Sequence, residues 1–144
     1  ELSVRPRRGE RTVKPFFDTN ILVYAQQSGA RGARARELVA EGGVVNVQVL
    51  NELANVLRKK LKRDWPEVFD VLADVRDALD PPLPLTAETH EAGLALACDH
   101  GVAFYDALIV VAARDAGCAT LYSEDLQHGR RFGDLTVVNP FLAI

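Results

Sequence analysis

Strand-like and helix-like segments alternate along nearly the whole chain, and this alternation limits the fold more than any other feature. Val13–Phe17 predicts a first strand, with Pro15 tolerable near its beginning. Asp18, Thr19 and Asn20 then supply capping side chains for a helix over Ile21–Gln27. A helix over Ala33–Glu41, stopped by Gly42 and Gly43, leads to a strand over Val44–Val47. Gln48–Leu61 predicts a helix, because Val49, Leu53, Val56 and Leu57 recur at helical spacing. Pro66–Leu79 is the next helix, and Asp80–Pro84 breaks it before a very short strand near Leu85. A helix from Thr86 to Asp99, a helix over Tyr105–Ala116 that is apolar nearly all round, and a strand over Ala119–Tyr122 follow. Ser123–Gly133 reads as a loop and Leu135–Val138 as the last strand. With no hairpin signal between strands, the connections must cross over. An α/β fold follows, with a central parallel sheet covered by helices on both faces. In such sheets chemistry gathers outside the carboxyl ends of the strands.

Size and charge agree with one such domain. The chain has 144 residues, is 48% hydrophobic and carries a formal net charge of −3. A chain of that length buries roughly 70% of its unfolded surface, and a normal apolar fraction with low net charge excludes disorder. The longest apolar run, Ala107–Ala113, is far short of the roughly 20 residues of a membrane span. Glu1–Lys14 is polar and basic and does not resemble a signal peptide. Its Arg5, Arg7, Arg8, Arg11 and Lys14 read either as a nucleic-acid-binding arm or as upstream sequence with no role, so the expected domain is 15–144. Cys98 and Cys118 form no metal or disulfide pattern and read as small buried hydrophobes, which suits a reducing, cytoplasmic protein.

Four carboxylates stand out. Asp18 follows the first strand and Asp125 follows Ala119–Tyr122, so both lie at carboxyl ends. Taken singly, each also reads as a helix cap or a loop aspartate. Glu52 lies on the apolar stripe of its helix with Val49, Leu53 and Val56. A carboxylate there costs several kcal/mol unless it is paired, protonated or on a metal, and an internal arginine partner is the structural alternative. Asp106 opens the most apolar helix and shares its face with Ile109, Val110 and Ala113. The helix dipole favours an anion there by only about 0.3–1 kcal/mol, too little to explain an inward position. Carboxylates converging on one pocket raise one another's pKa, and a hard cation such as Mg²⁺ or Mn²⁺ resolves that conflict. The chemistry such a site supports is phosphodiester hydrolysis.

The segments FFDTNILVYA (Phe16–Ala25), NELANVL (Asn51–Leu57), YDALIVVAA (Tyr105–Ala113) and LYSEDLQHG (Leu121–Gly129) resemble, in that order, the motifs of the PIN-domain nucleases. The ending VVNPF (Val137–Phe141) is similar to that of the VapC-type ribonuclease toxins within that family. The resemblance spans the chain after Lys14. It places the family's acidic quartet on Asp18, Glu52, Asp106 and Asp125. It implies a flavodoxin-like α/β/α sandwich and Mg²⁺- or Mn²⁺-dependent endoribonuclease activity. It also implies inhibition by a cognate antitoxin, and a homodimer. Asn20 and Ser123 sit where the family often has polar groups supporting the metal or its waters. Glu124 is an alternative to Asp125. His128 could reach a phosphate, whereas His90 and His100 read as surface residues.

RNA as substrate requires local basic patches on this mildly acidic chain. The candidates are Arg130 and Arg131 after the Asp125 loop, Arg58, Lys59, Lys60, Lys62 and Arg63 at the end of the Gln48–Leu61 helix, and Arg31, Arg34 and Arg36. The Arg58–Arg63 run also complements a helix C-terminus without any ligand. Other acidic-site enzymes fit less well. A haloacid-dehalogenase phosphatase needs a second aspartate where Asn20 stands, and a phosphoacceptor receiver needs a late lysine, yet none follows Lys62. A PIN fold that binds RNA or protein without cutting is the alternative function.

Overall fold

The computed structural model describes residues 14–144, so the basic arm before Lys14 and the predicted strand residue Val13 lie outside the described residues. Strand β1 is only Phe16–Phe17, and both rings are fully buried. A strand whose successive side chains point to opposite faces can bury both only where helices cover both faces. Around it the order is α1 (Thr19–Tyr24), α2 (Ala30–Ala40), α3 (Val47–Lys59), α4 (Trp65–Ala78), α5 (Ala87–His100), α6 (Phe104–Asp115), β2 (Thr120–Tyr122), β3 (Arg131–Phe132) and β4 (Leu135–Val138). The sheet order is β1-β2-β4-β3, with β1, β2 and β4 parallel. Helix α6 carries six buried apolar residues between β2 and its own outer neighbours.

Three expectations need correction. The predicted strand at Val44–Val47 shrinks to single bridges: Val44 pairs with Phe16, and Asn46 pairs with Leu83 on its outer side. Asn46 is instead drawn into capping α3, its side chain accepting from the Val49 N–H at 3.1 Å. The short strand expected near Leu85 is this Leu83 bridge, and Leu85 itself is exposed. The sheet is also not wholly parallel. Within the segment read as a loop, β3 runs antiparallel to β4 across the two-residue turn Gly133-Asp134. Gly133 has φ +63°, which the primed hairpin turns require at their first central position. That dipeptide was the missed signal.

Helix ends follow local chemistry. Asp64 and Glu67 close a capping box on α4, and Thr86 caps α5 through the Thr89 N–H. Lys62 has φ +56°, the left-handed region, and turns the chain from α3 into α4. Cys118 is buried as expected, but Cys98 is exposed on α5. Among the described residues no single helix is long and apolar enough to cross a membrane.

Candidate functional site

The backbone ladder of the parallel strands continues one residue beyond their ends. The Asp18 N–H donates to the Tyr122 carbonyl at 3.0 Å, and the Ser123 N–H donates to the Val138 carbonyl at 3.1 Å. Asp18 and Ser123 are thereby fixed side by side at the carboxyl edge. The Ser123 hydroxyl donates to Asp18 Oδ2 at 2.7 Å, a link across 105 residues of sequence. Asp18 Oδ1 accepts the Thr19 N–H at 2.7 Å and so caps α1. Capping and a place at the carboxyl edge are one arrangement here, because α1 starts directly at the strand end.

Asp18 is 5% exposed, and its carboxyl is pushed up to about 6. Burial is the main cause, and the charges of Asp125 and Asp106 add to it, while the Ser123 and Thr19 hydrogen bonds oppose it. Asp106, in the first turn of α6, is half-buried and also raised, by burial first and then by Asp125 and Glu52. Asp18 thus feels the charges of Asp125 and Asp106, and Asp106 those of Asp125 and Glu52. Glu52 is held by two neutral donors, Thr19 Oγ1 at 2.8 Å and Gln48 Nε2 at 2.9 Å, rather than by an arginine. Asp125 is exposed, with its N–H donating to Ser123 Oγ at 3.2 Å.

The polar neighbours organise the loop after β2. Asn20 Oδ1 accepts the Glu124 N–H at 3.2 Å, and its amide nitrogen reaches Asp18 Oδ2 at 3.4 Å. Ser123 Oγ also accepts the Leu126 N–H at 3.4 Å. Glu124 points away from Asp125's role: it accepts the Tyr24 hydroxyl at 2.6 Å and pairs with Arg31 at 3.4 Å. Glu124 holds the Tyr24 phenol above its ordinary pKa. A cleft of about 480 Å³ opens beside the cluster, bordered by Thr19, Glu52, Asp125 and, farther along α3, Lys60.

The basic candidates fall in three places, at β3, at the end of α3 and on α2. Arg130 donates to the His100 carbonyl at 2.7 Å and lies 4.9 Å from the Phe132 ring centroid, while Arg131 is exposed on β3. Arg58, Lys59, Lys60 and Lys62 are exposed at and just after the end of α3, and Lys60 borders the cleft. Arg36 is tied to the carbonyls of Ala25 and Gln27, and Arg34 to Glu37. His128 accepts the Asn139 N–H through Nδ1, and His90 and His100 pack against Phe104 and Phe132. Reading the sequence missed Thr19, Gln48 and the Tyr24–Glu124–Arg31 chain. Gln48 was legible in principle, four residues before Glu52 on one helix face.

The family model described as PIN domain matches residues 16–131. The chain belongs to the PIN-domain family. Two solved structures share the fold of this PIN domain. One is a toxin–antitoxin complex from Klebsiella pneumoniae, 19% identical with a TM-score of 0.65, the match covering 89% of this chain and 98% of that one. The other is Mycobacterium tuberculosis VapC20, a sarcin–ricin loop cleaving toxin, 21% identical with a TM-score of 0.62 over 76% of this chain and 88% of that one. Comparison with the curated proteins gives no match.

Proposed function

We propose that this PIN domain is a metal-dependent endoribonuclease and the toxin of a type II toxin–antitoxin pair. The observation that supports the reading is that Asp18 and Asp106, from separate segments, are both raised by burial and by neighbouring carboxylates, Asp125 for each and Glu52 for Asp106, next to a cleft bordered by Glu52 and Asp125. Asp18 and Asp106 gain nothing structural from that repulsion. A cation offsets it, and an all-oxygen donor set suits Mg²⁺ or Mn²⁺ rather than zinc. Among the described residues no three acidic, histidine or cysteine side chains converge on one point as they lie. An ion that takes one or two carboxylates directly and keeps several waters, which is magnesium's habit, does not require such convergence. In that role Asp18 and Asp106 would hold the ion, with Glu52 and Asp125 contributing directly or through water.

A divalent ion so held would acidify an attacking water and stabilise charge on the phosphate and the leaving oxygen. The chain's own residues do the positioning. Thr19 and Ser123 lock the Asp18 carboxylate, Gln48 and Thr19 aim Glu52, and Asn20 fastens the loop that bears Asp125. The likeness in fold to a toxin–antitoxin complex and to VapC20 supports a cognate antitoxin as partner. A homodimer and a cytoplasmic place of action belong to the same reading.

The test is cleavage of total cellular RNA with Mn²⁺, with mapped ends, for wild type, Asp106→Asn and Glu52→Gln. Cleavage should collapse in both variants while their melting temperatures hold. Unchanged cleavage in a folded Asp106→Asn protein would sink the metal-nuclease reading. The lack of three converging ligands favours a second reading, a PIN fold that binds RNA or protein without cutting. Absence of any metal-dependent cleavage, with Mn²⁺ failing to raise the melting temperature, would select it.

A further inference from the structure

Trp65 and Phe69 face solvent side by side on α4, 53% and 67% exposed, and so form a contiguous aromatic patch rather than scattered single rings. Their rings are stacked, with centroids 6.3 Å apart and planes 29° apart. The Arg58 guanidinium lies 4.4 Å from the Trp65 ring centroid and is held there by the Arg63 carbonyl at 3.0 Å. Arg58 opens a run of five cations in six positions, Arg58, Lys59, Lys60, Lys62 and Arg63, on a chain whose net charge is −3. Arg63 is partly spent on Glu67 at 3.4 Å, Asp64 is committed to capping α4, and Asp70 follows Phe69. The balance of the patch remains positive.

The patch is continuous with the carboxylate cleft. Helix α3 carries Glu52 at the cluster, and Lys60 borders the same cleft two turns later. Eight residues of helix place them about 12 Å apart along the axis. We propose that the Trp65–Phe69 pair and the basic end of α3 form a stacking platform for unpaired bases of an RNA strand that leaves the cleft. This rests on RNA being the substrate. The cations track the phosphates, and the ring faces accept bases without regard to sequence, a combination typical of single-stranded RNA sites. Aromatic rings and arginine also suit protein interfaces, but the three lysines, a residue depleted there, favour a phosphate backbone as the occupant.

Trp65 is the chain's one tryptophan, so its emission reports on this surface alone. The experiment titrates wild type, Phe69→Leu and Phe69→Ala with a short unstructured oligouridine in chelator, where no cutting occurs. Tryptophan emission is read beside the anisotropy of labelled RNA, and circular dichroism checks that each variant is folded. Binding should quench Trp65. Phe69→Leu, which keeps apolar bulk but loses the π-face, should weaken affinity about tenfold. A duplex RNA of the same length should quench little.

No RNA binding, unchanged emission at saturation, or wild-type affinity in Phe69→Leu would each overturn the platform. Quenching by an antitoxin-derived peptide with none by RNA would overturn it in favour of a protein-docking site. The two readings fail separately. Quenching without Mn²⁺-dependent cleavage removes the nuclease and leaves the platform, and cleavage without quenching does the reverse.

Discussion

Asp18→Asn tests the energetics of the cluster most directly. Burial, with Asp125 and Asp106, raises the Asp18 carboxyl from 3.8 to about 6. Between those values the folded protein holds a proton that the unfolded chain has released, so stability falls as pH rises through the window. The loss is complete above about pH 6 and amounts to about 3 kcal/mol. Asparagine cannot ionise and escapes it. The variant keeps an oxygen for the Thr19 N–H but loses the second oxygen, which accepts the Ser123 hydroxyl, at a cost of about 1–2 kcal/mol. In metal-free buffer it should therefore be less stable than wild type by about 1–2 kcal/mol near pH 4, and more stable by a similar amount near pH 7.5. At about 2–4 °C per kcal/mol, the gain at the higher pH is several degrees. Urea denaturation of both proteins in chelator at several pH values gives the difference directly, cancelling the titration of other carboxylates. A difference that stays constant across the range refutes the raised carboxyl. Saturating Mn²⁺ should invert the order near pH 7.5. An ion at 100 times its Kd adds about 2.7 kcal/mol to wild type and little to the variant.

Ser123→Ala should destabilise by about 1–3 kcal/mol, because it strips a fully buried oxygen from Asp18 and from the Asp125 and Leu126 N–H groups. It should also raise the Asp18 carboxyl further, readable by NMR titration, since the Ser123 bond lowers it. Gly43→Ala would set a Cβ 2.3 Å from the Phe17 ring and 2.9 Å from the Pro15 carbonyl, so a loss of about 1–3 kcal/mol is expected in denaturant melts. Lys62→Gly should gain up to about 1 kcal/mol by relieving the left-handed backbone at φ +56°. An unchanged or lowered melting temperature there would show that the turn carries no strain.

The sequence announced the helices well because their apolar spacing and caps are local properties; Thr86 and Asp18 mark real helix starts. Strands were less legible. Val44–Val47 has ideal β composition, yet only single bridges form, since pairing depends on what lies alongside and Asn46 is taken by the helix cap. In the candidate site, Asp18 and Asp106 could be singled out because placement or burial conflicted with charge. How Glu52 is satisfied could not, because Thr19 reaches it from 33 residues away. The Tyr24–Glu124 bond, spanning 100 residues, left no local trace at all. Cys98 misled because α5 turns that position outward.

The bond between Asp18 and Ser123 also sets a timetable. These residues are 105 positions apart, and Asp106 and Asp125 join the cluster from the same late stretch of chain. Synthesis at about 5–20 residues per second leaves Asp18 without its partners for roughly 5–20 s. During that interval the nascent chain has no assembled acidic cluster. Whatever the finished domain does with these four carboxylates, it cannot begin to do it at the ribosome that is still making it until synthesis has passed Asp125.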